Sequence, residues 1–517
     1  MAERKKDEAE VVVPPATHAD EPRTGLVSAA EGGHEDHVHP GGFSGPLCWL
    51  VTGIAGALIG LLVAGVVPAT IVEGSKGPQI PLWLVGPFVA LLASIALMPF
   101  IAPRFWHAHY PDFATFLGGF VAAYYLRAFG GIPYEHDMAY GASKMLHAFI
   151  EYYGFIALVG GLFVVAGGVH IEARIEGKPL ANTAILAFGA VLSNLVGTTG
   201  ASMLLIRPFM RINHGRLTPM HIVFFIFIVS NCGGALTPIG DPPLYLGYLK
   251  GVTFFWTLEH LWPDWLLVVG LLLGVYFVYD SRIKATSTLT APRASSGSPI
   301  RIRGFSALVC LGLMILGVFI DPILKETTGI KGIPIGATFQ LLVAVAAFLL
   351  ASRHIHRENH FNFGPIKEVG LLFLGIFATM VPALGYLAAN AAKFNLGSPT
   401  TLYFATGALS AVLDNAPTYL NFLQVAMASA GFGELDPPSV RAFIATELGA
   451  LELHAISTSA VFFGAMTYIG NGPNFMVKSI AEGHGVKMPS FFGYIGRALA
   501  VLLPILVLNW LLIIGLR

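Results

Sequence analysis

Apolar runs long enough to cross a bilayer recur along this chain. "CWLVTGIAGALIGLLVAGVVPA", "PLWLVGPFVALLASIALMPFIA", "FSALVCLGLMILGVFI" and "FFGYIGRALAVLLPILVLNWLLIIGL" are the clearest, and about 20 such residues span the hydrocarbon core as a helix. Only 12% of the residues are charged, about half the ~25% of soluble domains. The chain therefore reads as an all-α polytopic membrane protein with the lipid bilayer as its first partner. Thirty basic and thirty acidic residues give zero net charge, so no nucleic-acid partner is expected. Cys48, Cys232 and Cys310 are too scattered for a disulfide framework or a zinc site. Residues 1–45 are charged and Pro/Gly-containing, without a signal-peptide run, and read as a disordered cytoplasmic tail. Its His34, His37 and His39 offer a compositional metal-binding signal, although a flexible His-containing stretch commonly has no such role.

Basic residues mark the cytoplasmic ends of spans. Arg207, Arg211 and Arg216 form one such connection. The linker 281–304, with Arg282, Lys284, Arg293, Arg301 and Arg303, forms a second, and Arg353, Arg357 and Lys367 form a third. Keeping all three on one side gives about eleven transmembrane helices, a cytoplasmic N-terminus and a C-terminus on the opposite face. Residues 179–206 then start and end on the same side, with "SNLVGTTG" in their middle. They read as a re-entrant hairpin with Ser193 and Asn194 near its tip, tolerable at that depth only if buried in protein or lining a watery cavity.

The second half repeats this arrangement inverted. A hairpin at 399–427 has Asp414, Asn415 and Pro417 at its polar break. The spans that follow the two hairpins, at 219–243 and 442–475, are themselves interrupted, by "SNCGGALTPIGDPP" and "TYIGNGPN". The organisation is a first half at 46–280, the cytoplasmic linker at 281–304 and a second half at 305–517, each half holding one hairpin and one discontinuous helix. Paired interruptions in inverted halves point to a secondary-transporter site at the midplane.

Broken helices expose partly positive N–H ends and partly negative C=O ends. Oxygen ligands suit hard cations. Those near the breaks come from Ser193, Asn194, Thr198, Thr199, Ser230, Asn231, Thr237, Asn415, Thr418 and Asn471. Acids inside a membrane are functional candidates by default, because a desolvated carboxylate can alternate between a proton and a cation. Asp414 is a transport candidate or the N-cap of the returning helix. Asp241 is a second candidate or ordinary Asp-Pro-Pro turn chemistry. Glu447 and Glu452 are candidates or partners of Arg441 or His454, and Glu151 is a candidate or an interfacial acid. No Lys or Arg falls at either tip.

On "SNLVGTTGAS", "DNAPTYLNF", "SNCGGALTPIGDPP" and "YIGNGPN", the chain resembles the ion transporter superfamily over residues 47–516. That superfamily includes sodium/dicarboxylate symporters, arsenite efflux permeases, citrate-type transporters and NhaD-like sodium:proton antiporters. The resemblance implies a scaffold part for a homodimer and a mobile part carrying both hairpins in an elevator-like movement. The dicarboxylate branch has Ser-Asn-Thr at both tips. Here Ser193-Asn194-Leu195 and Asp414-Asn415-Ala416 stand instead, a departure that favours a cation as cargo.

The expected function is exchange of sodium, or another small cation, for protons by alternating access in a bacterial inner membrane. Asn194, Asn231, Asn415 and Asn471 with nearby carbonyls form the expected sodium cage, and Asp414 and Asp241 the leading proton/cation competitors. The alternative is cation-coupled citrate or dicarboxylate transport. No resident cofactor is expected beyond the transported ion and proton. No HExxH, GxSxG or paired-His motif falls in the membrane region, so enzyme chemistry is not expected.

Overall fold

The computed structural model describes residues 45–515 apart from 68–69, 72–77, 135–137, 174–175, 284–299, 329–333, 360, 391–392 and 394–396. The tail expected over 1–45, with His34, His37 and His39, lies outside the described residues except for Gly45, as does most of the linker. The helices are α1 (Pro46–Val66), α2 (Gly86–Ile101), α3 (Pro103–Ala128), α4 (Tyr140–Gly167), α5 (Pro179–Ile212) and α6 (Pro219–Ile228). Next come α7 (Pro242–Leu249), α8 (Trp256–Ser281), α9 (Phe305–Thr328), α10 (Ile335–Leu350), α11 (Arg353–Glu358) and α12 (Gly364–Asn390). The chain continues with α13 (Pro399–Val412), α14 (Asn415–Ser429), α15 (Pro437–Ile444), α16 (Glu447–Phe463), α17 (Gly472–Gly483) and α18 (Phe491–Asn509). Two short antiparallel pairs complete the described residues: β1 (Thr70–Ile71) with β2 (Pro78–Gln79), and β3 (His170–Ala173) with β4 (Ile300–Arg303).

This is an all-α polytopic membrane protein. Among the described residues nine helices are long and apolar enough to cross a bilayer, with two shorter apolar helices at Pro219–Gly234 and Ile335–Leu350. The nine differ from the eleven spans expected for identifiable reasons. One of them is α5, which doubles back. α3 has 26 residues, but Arg104, His107, His109, Asp112 and Arg127 dilute its apolar character. α6 is short because it stops at a break.

Burial sorts the helices. Only 17% of the apolar window of α1 is buried, against 83% for α16. Leu47, Leu62 and Val66 of α1 are exposed, as lipid-facing side chains must be. α1 packs on α3, and α3 on α12, while α4 is held by α9, α10 and α12. This framework meets a second layer, built from the hairpins and broken helices, where α4 touches α5 and α12 touches α14.

A straight helix of α5's 34 residues would run about 51 Å, well beyond the ~30 Å hydrocarbon core. Instead the helix breaks at Gly197, whose φ of 75° lies in the left-handed region that favours glycine. Its ends return to one place. Gly177 N donates to Ile212 O at 3.0 Å, and Asn182 and Asn213 exchange side-chain hydrogen bonds of 2.7 and 2.9 Å.

The feet of this hairpin are pinned to the end of α8. The buried Asp280 carboxylate accepts from Asn182 Nδ2 (2.8 Å), Arg216 Nη2 (2.6 Å) and His221 Nε2 (2.9 Å). Removing one partner of a buried ion pair strands the other charge, at a cost of about 3–5 kcal/mol. Asp280→Ala is therefore expected to lower the stability of the detergent-solubilised protein by about 3–5 kcal/mol. Glu482→Ala, at the more exposed Lys478–Glu482 pair, should change it by no more than about 0.5 kcal/mol. Denaturant unfolding of the two variants side by side tests the ranking.

Candidate functional site

Two interrupted helices meet at the centre of the second layer, and their sequences are alike. Residues 234–243 read "GALTPIGDPP" and residues 464–473 read "GAMTYIGNGP", identical at six of ten positions. Each stretch begins in a short 3-10 turn, Cys232–Gly234 or Gly464–Met466, and ends where a proline-led helix restarts, at α7 or α17. Prolines suit that first turn, where an N–H would have no intrahelical partner.

The hairpins brace these unwound stretches by matching bonds. Ser193 Oγ donates to Val229 O at 2.7 Å, and Ser410 Oγ to Ala460 O at 2.6 Å. Thr237 Oγ1 donates to Asn194 O at 2.7 Å, and Thr467 Oγ1 to Ala411 O at 2.5 Å. Ser193 is therefore the counterpart of Ser410 and Asn194 of Ala411. The sequence reading paired Ser193 with Asp414 and Asn194 with Asn415. The hydrogen bonds correct that register, and in the corrected one Thr198 answers to Asn415, and Asp241 to Asn471.

Those four residues converge. The buried carboxylate of Asp241 accepts from Thr198 Oγ1 (2.8 Å), Asn415 Nδ2 (2.7 Å) and Asn471 Nδ2 (2.9 Å). Each donor is neutral, and two come from the opposite half of the chain. Asn471 Nδ2 also reaches Asn231 Oδ1 at 3.1 Å and Ser230 O at 3.4 Å, and Ser230 Oγ pairs with Ser202 Oγ at 2.7 Å. Asn231 Nδ2 donates to Asn474 Oδ1 (2.6 Å), and Asn474 returns both amide hydrogens to Gly464 O and Thr467 O (2.8 Å each). The carboxylate of Asp241 and Asn231 Oδ1 are oxygens of the kind a small hard cation takes, while Asn415 and Asn471 present amide N–H groups to them.

Other residues singled out from the sequence lie around this centre. Asn194 spends its side chain on backbone, donating to Gly233 O (2.7 Å) and accepting from Leu236 N (2.8 Å). Thr199 is half-buried and lines a crevice of about 360 Å3, open mouth included, with Leu158, Leu162, Thr198, Asp241 and Tyr245. Asp414 caps α14, accepting from Ala416 N at 3.0 Å, and Thr418 Oγ1 donates to Asp414 O at 2.9 Å. Glu447 is exposed in the first turn of α16. Glu452 is buried, and its Oε2 has no hydrogen-bond partner among the described residues. Glu151 pairs with Lys250 at 2.6 Å.

Asp264 and Asn509 went unseen in the sequence, and His454, expected to partner Glu447 or Glu452, bonds Asp264 instead. His454 Nε2 bonds Asp264 Oδ2 at 2.7 Å, and Asn509 Nδ2 donates to Asp264 Oδ1 at 2.8 Å, joining α16, α8 and α18. An acid at position 264, just ahead of the apolar run "WLLVVGLLLG", was the available signal.

Comparison with known proteins agrees with this geometry. A family model described as "Putative citrate transport" matches residues 77–514. The chain belongs to this family. The match takes in both hairpins and both interrupted helices, so the elements that meet at Asp241 lie within the family's own extent. By that membership it is a citrate-transporter-like membrane transporter. No curated protein matches the chain.

Each unwound stretch folds back on its own start so closely that its turn leaves no room for a side chain. A Cβ on Gly240 would sit far inside contact distance of Gly234 O, and one on Gly470 would lie 2.6 Å from Gly464 O. Gly240→Ala and Gly470→Ala are each expected to cost about 1–3 kcal/mol by forced backbone displacement. Both should impair transport, whereas Gly483→Ala, with open space around it, should not. Unfolding and transport by the three purified variants test this.

Proposed function

We propose that the protein is a secondary active transporter exchanging sodium, or another small cation, for protons by alternating access, with Asp241 as the shared seat. One observation carries the reading. Asp241 is buried where both hairpins and both interrupted helices meet, and only neutral donors reach it. A carboxylate held away from water without a counter-charge is costly. A proton or a small cation relieves that cost, and the two compete for the same oxygens. Asn231 Oδ1 supplies a further oxygen for the cation, Asn415 and Asn471 would add theirs by turning their amides over when the cation binds, and Thr198 orients the carboxylate. Asp414 is assigned to capping α14 rather than to exchange, and Asn194 to bracing the first unwound stretch.

A second reading, cation-coupled citrate or dicarboxylate transport, draws on two observations. The family description names citrate. The crevice beside Asp241 is lined by Thr198, Thr199 and Gly200, at the start of the hairpin's returning arm, where a helix N-terminus favours an anion. In that reading Asp241 holds the coupling cation and a carboxylate substrate rests on this N-terminus.

The basic connections support placing the hairpin feet, with Arg211 and Arg216, on the cytoplasmic side of a bacterial inner membrane. That orientation sets the N-terminus inside and the C-terminus outside. A homodimer follows from the superfamily resemblance.

Reconstitution into liposomes with an imposed pH gradient separates the readings. Sodium-dependent collapse of the gradient is expected, abolished in Asp241→Asn and retained in Asp414→Asn, which keeps the cap. Sodium-driven uptake of labelled citrate, with no proton movement on sodium addition alone, would reject exchange in favour of the second reading.

A further inference from the structure

The connection between α4 and α5 carries a second constellation, built from segments of both halves. β3 and β4 pair with His170 opposite Arg303 and Glu172 opposite Arg301. His170 and Glu172, two residues apart, share one face of the strand. Glu358 ends α11 and lies one helical turn from His354. Ligand atoms of His170, Glu172 and Glu358 all fall within 4.8 Å of one another.

The hydrogen bonds fix the orientation of the His170 ring. Asn359 Nδ2 donates to Gly167 O (2.9 Å) and Val169 O (2.7 Å), which orients the amide. Its Oδ1 then faces His170 Nδ1 at 2.7 Å. An amide oxygen only accepts, so Nδ1 carries a hydrogen, and Nε2 is the ring nitrogen left to face the carboxylates. His170 is 7% exposed, and no hydrogen bond reaches Nε2 among the described residues. Facing it at 3.8 Å is Glu358 Oε2, a buried oxygen with no hydrogen-bond partner among the described residues. That separation is too long for a hydrogen bond. It is close to the ~3.4 Å between two ligands that share a tetrahedral metal with ~2.1 Å bonds.

We infer that His170 Nε2, Glu172 and Glu358 form a binding site for a zinc-class divalent metal ion, with His354 as the available fourth ligand. Imidazole and carboxylate ligands suit such a metal. A ligating histidine that gives its other N–H to a fixed oxygen has the usual outer-shell arrangement. His354 Nε2 already lies 3.2 Å from Glu358 Oε1. Arg303 supplies one positive charge, 2.9 Å from Glu172 Oε1 and 3.7 Å from Glu358 Oε2, against two carboxylates. A metal there would tie the α4–α5 connection to β4 and α11, joining the two halves outside the transport centre.

The test uses the full chain in detergent, with His34, His37 and His39 replaced by alanine so that the tail cannot contribute. Titration with Zn2+ by calorimetry, and with Co2+ by visible absorption, is expected to give one equivalent bound and a tetrahedral Co2+ spectrum. His170→Gln and Glu358→Gln should each weaken binding by at least about 10-fold, and Asn359→Leu by about 10–100-fold. Size-exclusion elution checks that each variant is folded. If His170→Gln is not, Glu358→Gln decides. No Zn2+ binding in the tail-substituted protein, or binding unchanged by Glu358→Gln, overturns the site.

Discussion

Hydrocarbon offers no hydrogen bonds, so every peptide group freed by unwinding a helix at membrane depth must find a partner within the protein. The second layer is arranged around that requirement. Two stretches of backbone are unwound, and each is answered by a hairpin whose serine donates to a carbonyl of the broken helix and whose backbone carbonyl accepts from a threonine hydroxyl of the unwound stretch. The hairpins are there to satisfy the breaks, and the breaks keep the hairpins in place. Neither half is complete alone, because Asn415 and Asn471 of the second half end on Asp241 of the first.

The two halves are alike in how they brace backbone and unlike in what they bring to the centre. Thr198 faces Asn415 across the corrected register, and Asp241 faces Asn471. A fully symmetric centre would hold two carboxylates, which repel in a low dielectric, or two amides, with no site for a charge. The centre instead holds one acid among neutral donors.

Much of this was legible in the sequence for a physical reason. Apolar runs announce spans because lipid tolerates little else, and glycines with prolines announce breaks because a helix cannot run through them. The polar residues near the breaks were therefore found, Asp241, Asn415 and Asn471 among them. Which of them face inward was not legible. The polar run "SNLVGTTG" drew attention to Asn194, while the turn falls at Gly197, and that offset moves Thr198 rather than Asn194 to the carboxylate. A shift of a few residues on a helix decides whether a side chain braces its own half or reaches the other. Composition does not encode that choice. Contacts between distant segments, such as His454 with Asp264 across 190 residues, are likewise set by packing. The single Glu151–Lys250 pair shows the converse: an acid conspicuous in an apolar stretch is already answered by a lysine 99 residues away.

The pinning of the first hairpin at Asp280 bears on how the chain is made. Arg216 and His221 emerge from the ribosome 64 and 59 residues ahead of the carboxylate that accepts their hydrogen bonds. Until α8 has been synthesised, the hairpin's feet have no anion to hold them. The bonds that tie the hairpin's feet together through Asp280 therefore become available only once α8 has been made.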